Sequence, residues 1–328
     1  MAERVLLTGI TGYIGQHCAA ELLKQGYEVV GTMRSRAKAE GTRAALAHVT
    51  SVDRLSFAEA DLLSDHGWDD AIKGCGFALH VASPFVMTEP RDENELIAPA
   101  VEGTRRVVAA AQRAGVKRLV LTSSTFALVA GKASGTYGPD AWSDIGAAIG
   151  AYSKSKTLAE RAAWQAAEGG AMEMVVINPG AVFGPSLGAE IDGQSVTMIT
   201  SMIAGKMPMI PDVAMGMIDV RDVARLHVKA LTAPGAAGQR FIAASAEPIA
   251  MATVASVLRG EGYSKVPSRR APGVLLRFMG LFDRDARGLG PFLGKKVAFD
   301  NRATFDLLDW QPTPMEVSFR EMARALEE

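Results

Sequence analysis

The stretch RVLLTGITGYIGQHCAAELLK, residues 4–24, passes from a short apolar run through three glycines into a segment rich in alanine and leucine. The apolar run predicts a strand over residues 4–8, and the segment after the turn predicts a helix over 13–25. Glycine permits a tight turn and a close approach of the backbone, and a helix N-terminus offers free N–H groups to a pyrophosphate. The stretch therefore predicts a strand–turn–helix unit that binds a dinucleotide.

The glycines of this turn follow a GxxGxxG spacing rather than the GxGxxG of the general dinucleotide fingerprint. Such a motif is weak alone, since glycines also serve ordinary turns between a strand and a helix. Its place between the first strand and the first helix strengthens the interpretation. We therefore predict cofactor binding by this turn, through Gly9, Thr11, Gly12, Tyr13, Ile14 and Gly15.

After the first run at 4–8, apolar runs recur as far as Pro179, at residues 27–33, 54–60, 77–83, 118–124 and 172–179. Helical patterns separate most of them, notably 13–25, 96–114 and 152–168, which end at Gly26, Gly115 and Gly169 as C-caps would. Strands that alternate with helices and are apolar on both faces imply a parallel sheet covered on both sides. The pattern predicts an α/β fold with a doubly wound parallel sheet, a Rossmann fold.

The rhythm changes after Pro179. Residues 183–216 and 264–296 are rich in Gly, Pro and Met, whereas 215–231 read as a strand followed by a helix. We predict a dinucleotide-binding domain over 1–178, to which 215–245 return, and a smaller, mostly C-terminal substrate lobe over 179–328. A cleft between two such units is a common place for a ligand.

Composition narrows the class of protein. The 328 residues carry 35 Lys and Arg against 36 Asp and Glu, so the net charge of -1 favours neither nucleic acid nor an anionic membrane as partner. Two isolated cysteines and five histidines without paired spacing predict no disulfide framework and no metal site. Neither a signal peptide nor a long apolar run is present, which predicts a cytoplasmic protein.

The end of the second predicted strand reads GTMRSRAK, residues 31–38. A site for NAD usually has an acidic residue about 20 positions after the glycines, where it binds the ribose 2′-hydroxyl. Here no carboxylate is present and Arg34 is available, which favours a 2′-phosphate and hence NADP(H). For Arg36 and Lys38, ligand contact and a solvated basic loop remain equally open.

A serine, a tyrosine and a lysine form the predicted catalytic group. The fifth apolar run ends at Ser123 and Ser124, and YSKSK begins a helix on which Tyr152 and Lys156 lie one turn apart on one face. A phenol titrates near 10, and a neighbouring ammonium favours its ionised form, so Tyr152 can exchange protons. With a nicotinamide nearby, the tyrosine would protonate a carbonyl oxygen that receives a hydride, while a serine hydroxyl holds that oxygen.

The motifs TGITGYIG, HVASP, LTSS, YSKSKTLAE, INPGAVFGPSL and IDVRDVARLHVKAL occur in this order over about two thirds of the chain. Together they resemble the extended short-chain dehydrogenase/reductases, and among them the dihydroflavonol reductases, cinnamoyl-CoA reductases and related microbial aldehyde and ketone reductases. The resemblance implies reduction of an aldehyde or ketone by NADPH. It implies Ser124, Tyr152 and Lys156 as catalytic residues, with Ser123 the competing serine. It also implies cofactor contacts at Arg34, Asp61, Leu62, Ala82, Ser83, Pro179, Gly180 and Val182.

The substrate is less constrained. Val129 stands near the place of the asparagine that holds flavonoid hydroxyls in plant dihydroflavonol reductases, so a flavonoid is not expected. Six methionines between 198 and 217 suit either an adaptable apolar pocket or the core of the lobe, and Phe85, Val86 and Phe126 could add apolar wall. We expect a small apolar or aromatic carbonyl compound. A nucleotide-sugar epimerase and a dinucleotide-sensing regulator are the alternatives, and the sequence leaves monomer and homodimer open.

Overall fold

Strands and helices alternate through the first half of the chain, as the apolar runs predict. The computed structural model describes residues 2–84, 90–188, 193–272 and 293–327. The predicted wall residues Phe85 and Val86 lie outside the described residues.

The strands of the described residues are β1 Arg4–Thr8, β2 Glu28–Met33, β3 Leu55–Glu59, β4 Phe77–His80, β5 Arg118–Thr122, β6 Gly135–Tyr137, β7 Glu173–Pro179, β8 Ala181–Phe183, β9 Ile210–Pro211, β10 Ala214–Met215, β11 Met217–Asp219, β12 Arg240–Ala243, β13 Ile249–Ala250, β14 Arg270–Ala271 and β15 Val297–Phe299. The α-helices of the same residues are α1 Tyr13–Lys24, α2 Ala39–Ala47, α3 Trp68–Ile72, α4 Asn94–Arg113, α5 Phe126–Val129, α6 Gly150–Ala167, α7 Gln194–Ile203, α8 Val220–Ala230, α9 Met251–Gly260, α10 Arg302–Leu308 and α11 Met315–Ala325. A 3₁₀ turn covers Arg36–Lys38.

Seven strands form the central sheet, in the order β12-β7-β5-β4-β1-β2-β3, and every neighbouring pair is parallel. The chain order reverses between β1 and β4, which places a crevice outside the carboxyl ends of these two strands. The expected doubly wound parallel sheet is confirmed. Its strands are apolar on both faces because helices cover both sides.

The ends of the early elements follow the local sequence. Gly26, Gly115 and Gly169 follow α1, α4 and α6 and adopt positive φ angles of 84°, 71° and 72°, as C-cap glycines do. The fourth strand is shorter than the run 77–83 predicts. It ends at His80 because the backbone N–H of Ala82 donates to the side chain of Thr8 instead of to a sheet partner.

The chain returns to the sheet through β12. The short strand β11 pairs with β8 outside the central sheet, α8 then packs on α1, and β12 adds the seventh strand beside β7. A separate apolar core lies among α7, α9 and α11, around Ile199, Val254 and Phe319. No helix of the described residues is long and apolar enough to cross a membrane.

Candidate active site

The glycine turn joins β1 to α1 at the reversal of strand order. Gly9 has a φ of 73°, and a Cβ placed there would lie 2.9 Å from Cα of Ala82. A Cβ on Gly15 would lie 2.1 Å from the carbonyl oxygen of Gly9. The outer glycines are therefore needed for packing within the protein.

Gly12 differs from these two glycines. It is exposed, it begins α1 without a side-chain cap, and an added Cβ would meet no atom closer than 3.4 Å. The space beside it is open to a ligand, and the uncapped helix end directs N–H groups toward that space.

Tyr13, in the same turn, has its side chain directed away from this space. Its buried hydroxyl donates to the carbonyl of Gly184 at 2.6 Å, and Nε2 of His17 donates to the carbonyl of Pro185 at 2.9 Å. Only the backbone of Tyr13 is left to meet a ligand. Burial lowers the pKa of His17 to about 4, so this tie between α1 and the segment after β8 uses a neutral imidazole.

A buried chain of side chains holds the HVASP segment. The hydroxyl of Thr8 accepts the N–H of Ala82 at 3.0 Å and donates to Nδ1 of His80 at 2.8 Å, and Nε2 of His80 contacts the hydroxyl of Thr104 at 3.3 Å. Burial, assisted by the charge of Lys156, lowers the pKa of His80 to about 3. A neutral His80 thus anchors half-buried Ala82 and Ser83 beside the glycine turn. The role of Thr8 and His80 was not predicted from the sequence.

The carboxyl ends of β2 and β3 carry the other predicted cofactor residues. Arg34 is exposed and directly follows buried Met33. Arg36 and Lys38 are also exposed, on a turn where the hydroxyl of Ser35 accepts the N–H of Ala37. The strand β3 lies beside β2, and after its end Asp61 and Leu62 are half-buried. The carboxylate of Asp61 accepts the N–H of Leu63 at 3.0 Å, and Leu62 packs on Gly103 of α4.

Three predicted catalytic residues come together at the carboxyl end of β5. Tyr152 and Lys156 lie on the first two turns of α6, and the ammonium of Lys156 is 5.9 Å from the centre of the Tyr152 ring. The hydroxyls of Tyr152 and Ser124 are hydrogen-bonded, and Oγ of Ser124 also accepts the N–H of Phe126 at 3.1 Å. The ring of Phe126 stands edge-on to that of Tyr152, with centroids 5.9 Å apart.

The neighbouring serine points elsewhere. The hydroxyl of Ser123 donates to Oε2 of Glu160 at 2.5 Å, in a fully buried position. The two serines therefore serve different partners, and only the hydroxyl of Ser124 reaches the phenol of Tyr152.

Burial governs the protonation of this group. It raises the pKa of Tyr152, and the hydrogen bond with Ser124 opposes this shift. The predicted lowering of the Tyr152 pKa is wrong, because removal from water disfavours the phenolate and raises that pKa. Burial likewise lowers the pKa of Lys156 to about 8, against the charge of Glu160. At neutral pH the phenol is protonated and the amine is charged.

The segment after β7 runs along the same edge. The buried carbonyl of Pro179 accepts the N–H of Thr125 at 2.9 Å, and the N–H of Gly180 donates to Ala243 at 2.9 Å. A Cβ on Gly180 would lie 2.3 Å from the carbonyl oxygen of Gly216. Val182 follows on β8 and is half-buried. The predicted residues Pro179, Gly180 and Val182 thus lie at or just after a strand end, between residues 123–132, here called the serine loop, and the chain around Gly216 and Ala243.

The methionines divide between core and pocket. Met202 and Met217 are buried in the second core, and Met198, Met207 and Met209 pack against it. Met215 also packs against this core, and in addition it lines a mostly apolar depression whose wall includes Phe126, the neighbour of Tyr152, with Val129, Val297 and Phe299. Core filling accounts for most of the six, and one faces the pocket.

Two lysines that sequence reasoning did not bring together border this depression. Lys132 follows α5 and Lys295 precedes β15, and both are half-buried. Nζ of Lys295 donates to the carbonyl of Lys132 at 2.9 Å, while Nζ of Lys132 lies 5.5 Å from the centre of the Tyr137 ring. No local pattern could reveal the pair, since the packing of β15 beside β6 brings these distant segments together.

A parallel seven-stranded sheet, a glycine turn at the reversal of strand order and a Ser-Tyr-Lys group define an extended short-chain dehydrogenase/reductase. The chain belongs to the NAD dependent epimerase/dehydratase family, whose model matches residues 5–244. Cinnamoyl-CoA reductase 1 of Arabidopsis thaliana is 33% identical over 254 residues, covering 74% of this chain and 71% of the relative.

Other relatives belong to the same group of reductases. Dihydroflavonol 4-reductase of Hordeum vulgare is 36% identical over 209 residues, covering 61% of this chain and 59% of the relative. Among solved structures, the yeast methylglyoxal/isovaleraldehyde reductase Gre2 complexed with NADPH superposes with a TM-score of 0.82 at 26% identity, covering 98% of each chain. The resemblance to this family in the sequence is confirmed.

Proposed function

We propose that this protein reduces apolar or aromatic aldehydes and ketones to alcohols with NADPH. The observation that carries the proposal is the hydrogen-bonded Ser124–Tyr152 pair, with Lys156 one turn away, at the carboxyl edge of the sheet. The similar proteins support it, since they are reductases and one is solved with NADPH.

The residues of the site fit NADPH. The open space beside Gly12 suits a pyrophosphate at the start of α1, and exposed Arg34 suits a 2′-phosphate at the end of β2. Asp61, Leu62, Ala82 and Ser83 would border the adenosine, whereas Lys156 would contact the nicotinamide ribose. When bound, NADPH supplies the hydride.

Each catalytic side chain has one task in reduction. Tyr152 donates the proton to the carbonyl oxygen, and its raised pKa keeps that proton in place at neutral pH. The hydroxyl of Ser124 donates to the same oxygen as negative charge develops there. The ammonium of Lys156 stabilises the phenolate that Tyr152 becomes.

We place the apolar or aromatic group that is attached to the substrate carbonyl in the depression beside Phe126. Its wall comes from the serine loop and from segments after residue 179, which supports the division into a cofactor domain over 1–178 and a smaller substrate lobe. We place the enzyme in the cytoplasm, as a monomer or homodimer.

Loss of NADPH absorbance tests the function, with aromatic and aliphatic aldehydes and ketones as substrates. Reduction should need the Tyr152 hydroxyl, so Tyr152→Phe should lose about 10²–10⁴-fold in kcat. NADPH binding, followed by fluorescence, should survive in that variant. A folded protein that binds NADPH yet reduces no carbonyl, and instead interconverts a nucleotide sugar without net use of cofactor, would establish the epimerase alternative.

A further inference from the structure

A buried carboxylate lies behind the catalytic group. Glu160 is 1% exposed and lies on α6 one turn beyond Lys156. It accepts hydrogen bonds from the hydroxyl of Ser123 at 2.5 Å, from Nδ2 of Asn178 at 3.0 Å and from Nε of Arg240 at 2.5 Å. Nε1 of Trp164 is a fourth, longer donor at 3.4 Å.

Two of these donors are direct chain neighbours of candidate site residues. Ser123 directly precedes Ser124, and Asn178 directly precedes Pro179 on β7. The side-chain amide of Asn178 donates both to Glu160 and to the backbone carbonyl of Ser124, at 3.2 Å. The carboxylate thereby ties the backbone around the catalytic serine to the helix that carries the tyrosine and the lysine.

Arg240 completes the arrangement from the return strand β12. Its guanidinium is 9% exposed, donates to the carbonyls of Pro139 and Ala141 at 2.5 and 2.6 Å, and lies 3.9 Å from the centre of the Trp142 ring. A buried ion pair is weak grounds for stability, because desolvation of both ions offsets their attraction. The position of the ion pair behind the catalytic group points instead to a role in the reaction.

We propose that Glu160 is a positioning residue for carbonyl reduction and that Arg240 holds Glu160 in place. Glu160 fixes Ser124 through Ser123 and Asn178. It also supplies a negative charge one helical turn from Lys156. The inference rests on the proposed function, since it assigns to Glu160 a part in that reaction. Glu160 lies one helical turn from Lys156, and its charge acts on the ammonium, raising the pKa of Lys156 against the effect of burial.

The groups around Lys156 decide how its charge responds to substitution. Tyr152 and Glu160 face it from α6, while His80 faces it from β4 and is neutral at physiological pH. Arg240 stands behind Glu160. In a Glu160→Gln variant the cation of Arg240 would lack its counter-ion, and Lys156 would lose its proton at a lower pH.

The test compares Glu160→Gln, Glu160→Gln with Arg240→Met, and the matched control Glu173→Gln. Glu173 also pairs with a mostly buried arginine, Arg118, but at the opposite end of the sheet. We expect Glu160→Gln to lower kcat for aldehyde reduction by about 10-fold or more. As the pH rises, kcat/KM of Glu160→Gln should begin to fall at a lower pH than that of the wild type, while NADPH affinity changes by less than about threefold.

The double variant separates charge from folding, since it removes both buried ions. It should fold and recover part of the shift in the pH profile. Glu173→Gln should keep the wild-type profile. Unchanged kcat and pH profile in Glu160→Gln, with only a lower Tm, would overturn the proposal.

A second readout does not depend on activity. NMR titration of side-chain resonances in protein labelled at lysine, assigned with Lys156→Met, should show a lower pKa for Lys156 in Glu160→Gln than in the wild type. Equal values in the two proteins would overturn the electrostatic part of the proposal. Failure of the wild type to reduce any carbonyl, with that shift present, would overturn the proposed function instead.

Discussion

The ammonium of Lys156 lies 5.9 Å from the centre of the Tyr152 ring, and the phenol of the same tyrosine is hydrogen-bonded to Ser124. One helical turn and one strand end therefore bring a cation, a proton donor and a hydroxyl into one group. Since the cation and the phenol are removed from water, each prefers its neutral form more than it would at the surface.

This relationship predicts the alkaline limit of activity. Lys156 has a pKa of about 8, so its charge is present below that pH and is lost as the pH rises through it. Reduction needs that charge, and we expect kcat/KM for an aldehyde to fall above pH 8. Initial rates between pH 6 and 9.5 measure this limb, and a flat profile to pH 9.5 would exclude Lys156 as its source.

Lys156→Met should lower kcat/KM by about 10²–10⁴-fold, because the phenolate of Tyr152 loses its neighbouring charge. Lys154→Met offers a matched control on the same helix, since Lys154 pairs with Glu93 instead of facing Tyr152. The control should stay within about twofold of the wild type, as expected for a surface ion pair. Equal losses in both variants would point to damage to α6 rather than to chemistry.

Ser124→Ala should lower kcat by roughly 10²-fold, as the loss of a donor to a developing oxyanion does. Ser123→Ala removes one of several donors to Glu160 and leaves the Ser124–Tyr152 hydrogen bond in place. We expect Ser123→Ala to lower Tm, while its kcat falls less than that of Ser124→Ala. Steady-state kinetics and thermal unfolding of both variants provide the comparison, and the reverse order of kcat would make Ser123 the catalytic serine.

Substitutions in the glycine turn should affect cofactor binding and protein stability separately. Gly12→Ala should keep the Tm of the wild type but weaken NADPH binding by roughly 10-fold, because the new Cβ occupies the space beside the helix end. Gly15→Ala should instead destabilise the protein by about 1–3 kcal/mol, since its Cβ would lie 2.1 Å from the oxygen of Gly9. Calorimetry and fluorescence titration distinguish the two, and a cofactor affinity unaffected by Gly12→Ala would contradict the assignment of this space.

Local sequence predicted the main strands, the helix ends and the glycine turn because each depends on neighbours within a few residues. The two serines show where that reasoning stops. Both directly follow the strand β5, and Glu160, 37 residues from Ser123, determines which hydroxyl is left for Tyr152. The methionines show the same limit, since Met217 is buried in the core, whereas Met215, two residues before it, packs against that core and also lines the pocket.

The fold places Lys132 and Lys295 together at the edge of the apolar depression. An aldehyde with a distal carboxylate should be preferred to its neutral methyl ester by roughly 2–5-fold in kcat/KM, the size expected for a partly exposed ion pair. The substrates 4-carboxybenzaldehyde and methyl 4-formylbenzoate provide the pair, and added salt should reduce the difference. Lys295→Met should abolish the preference, whereas Lys296→Met should keep it, because Lys296 is exposed and does not line the depression. A preference that survives in Lys295→Met would place the recognition of the carboxylate elsewhere.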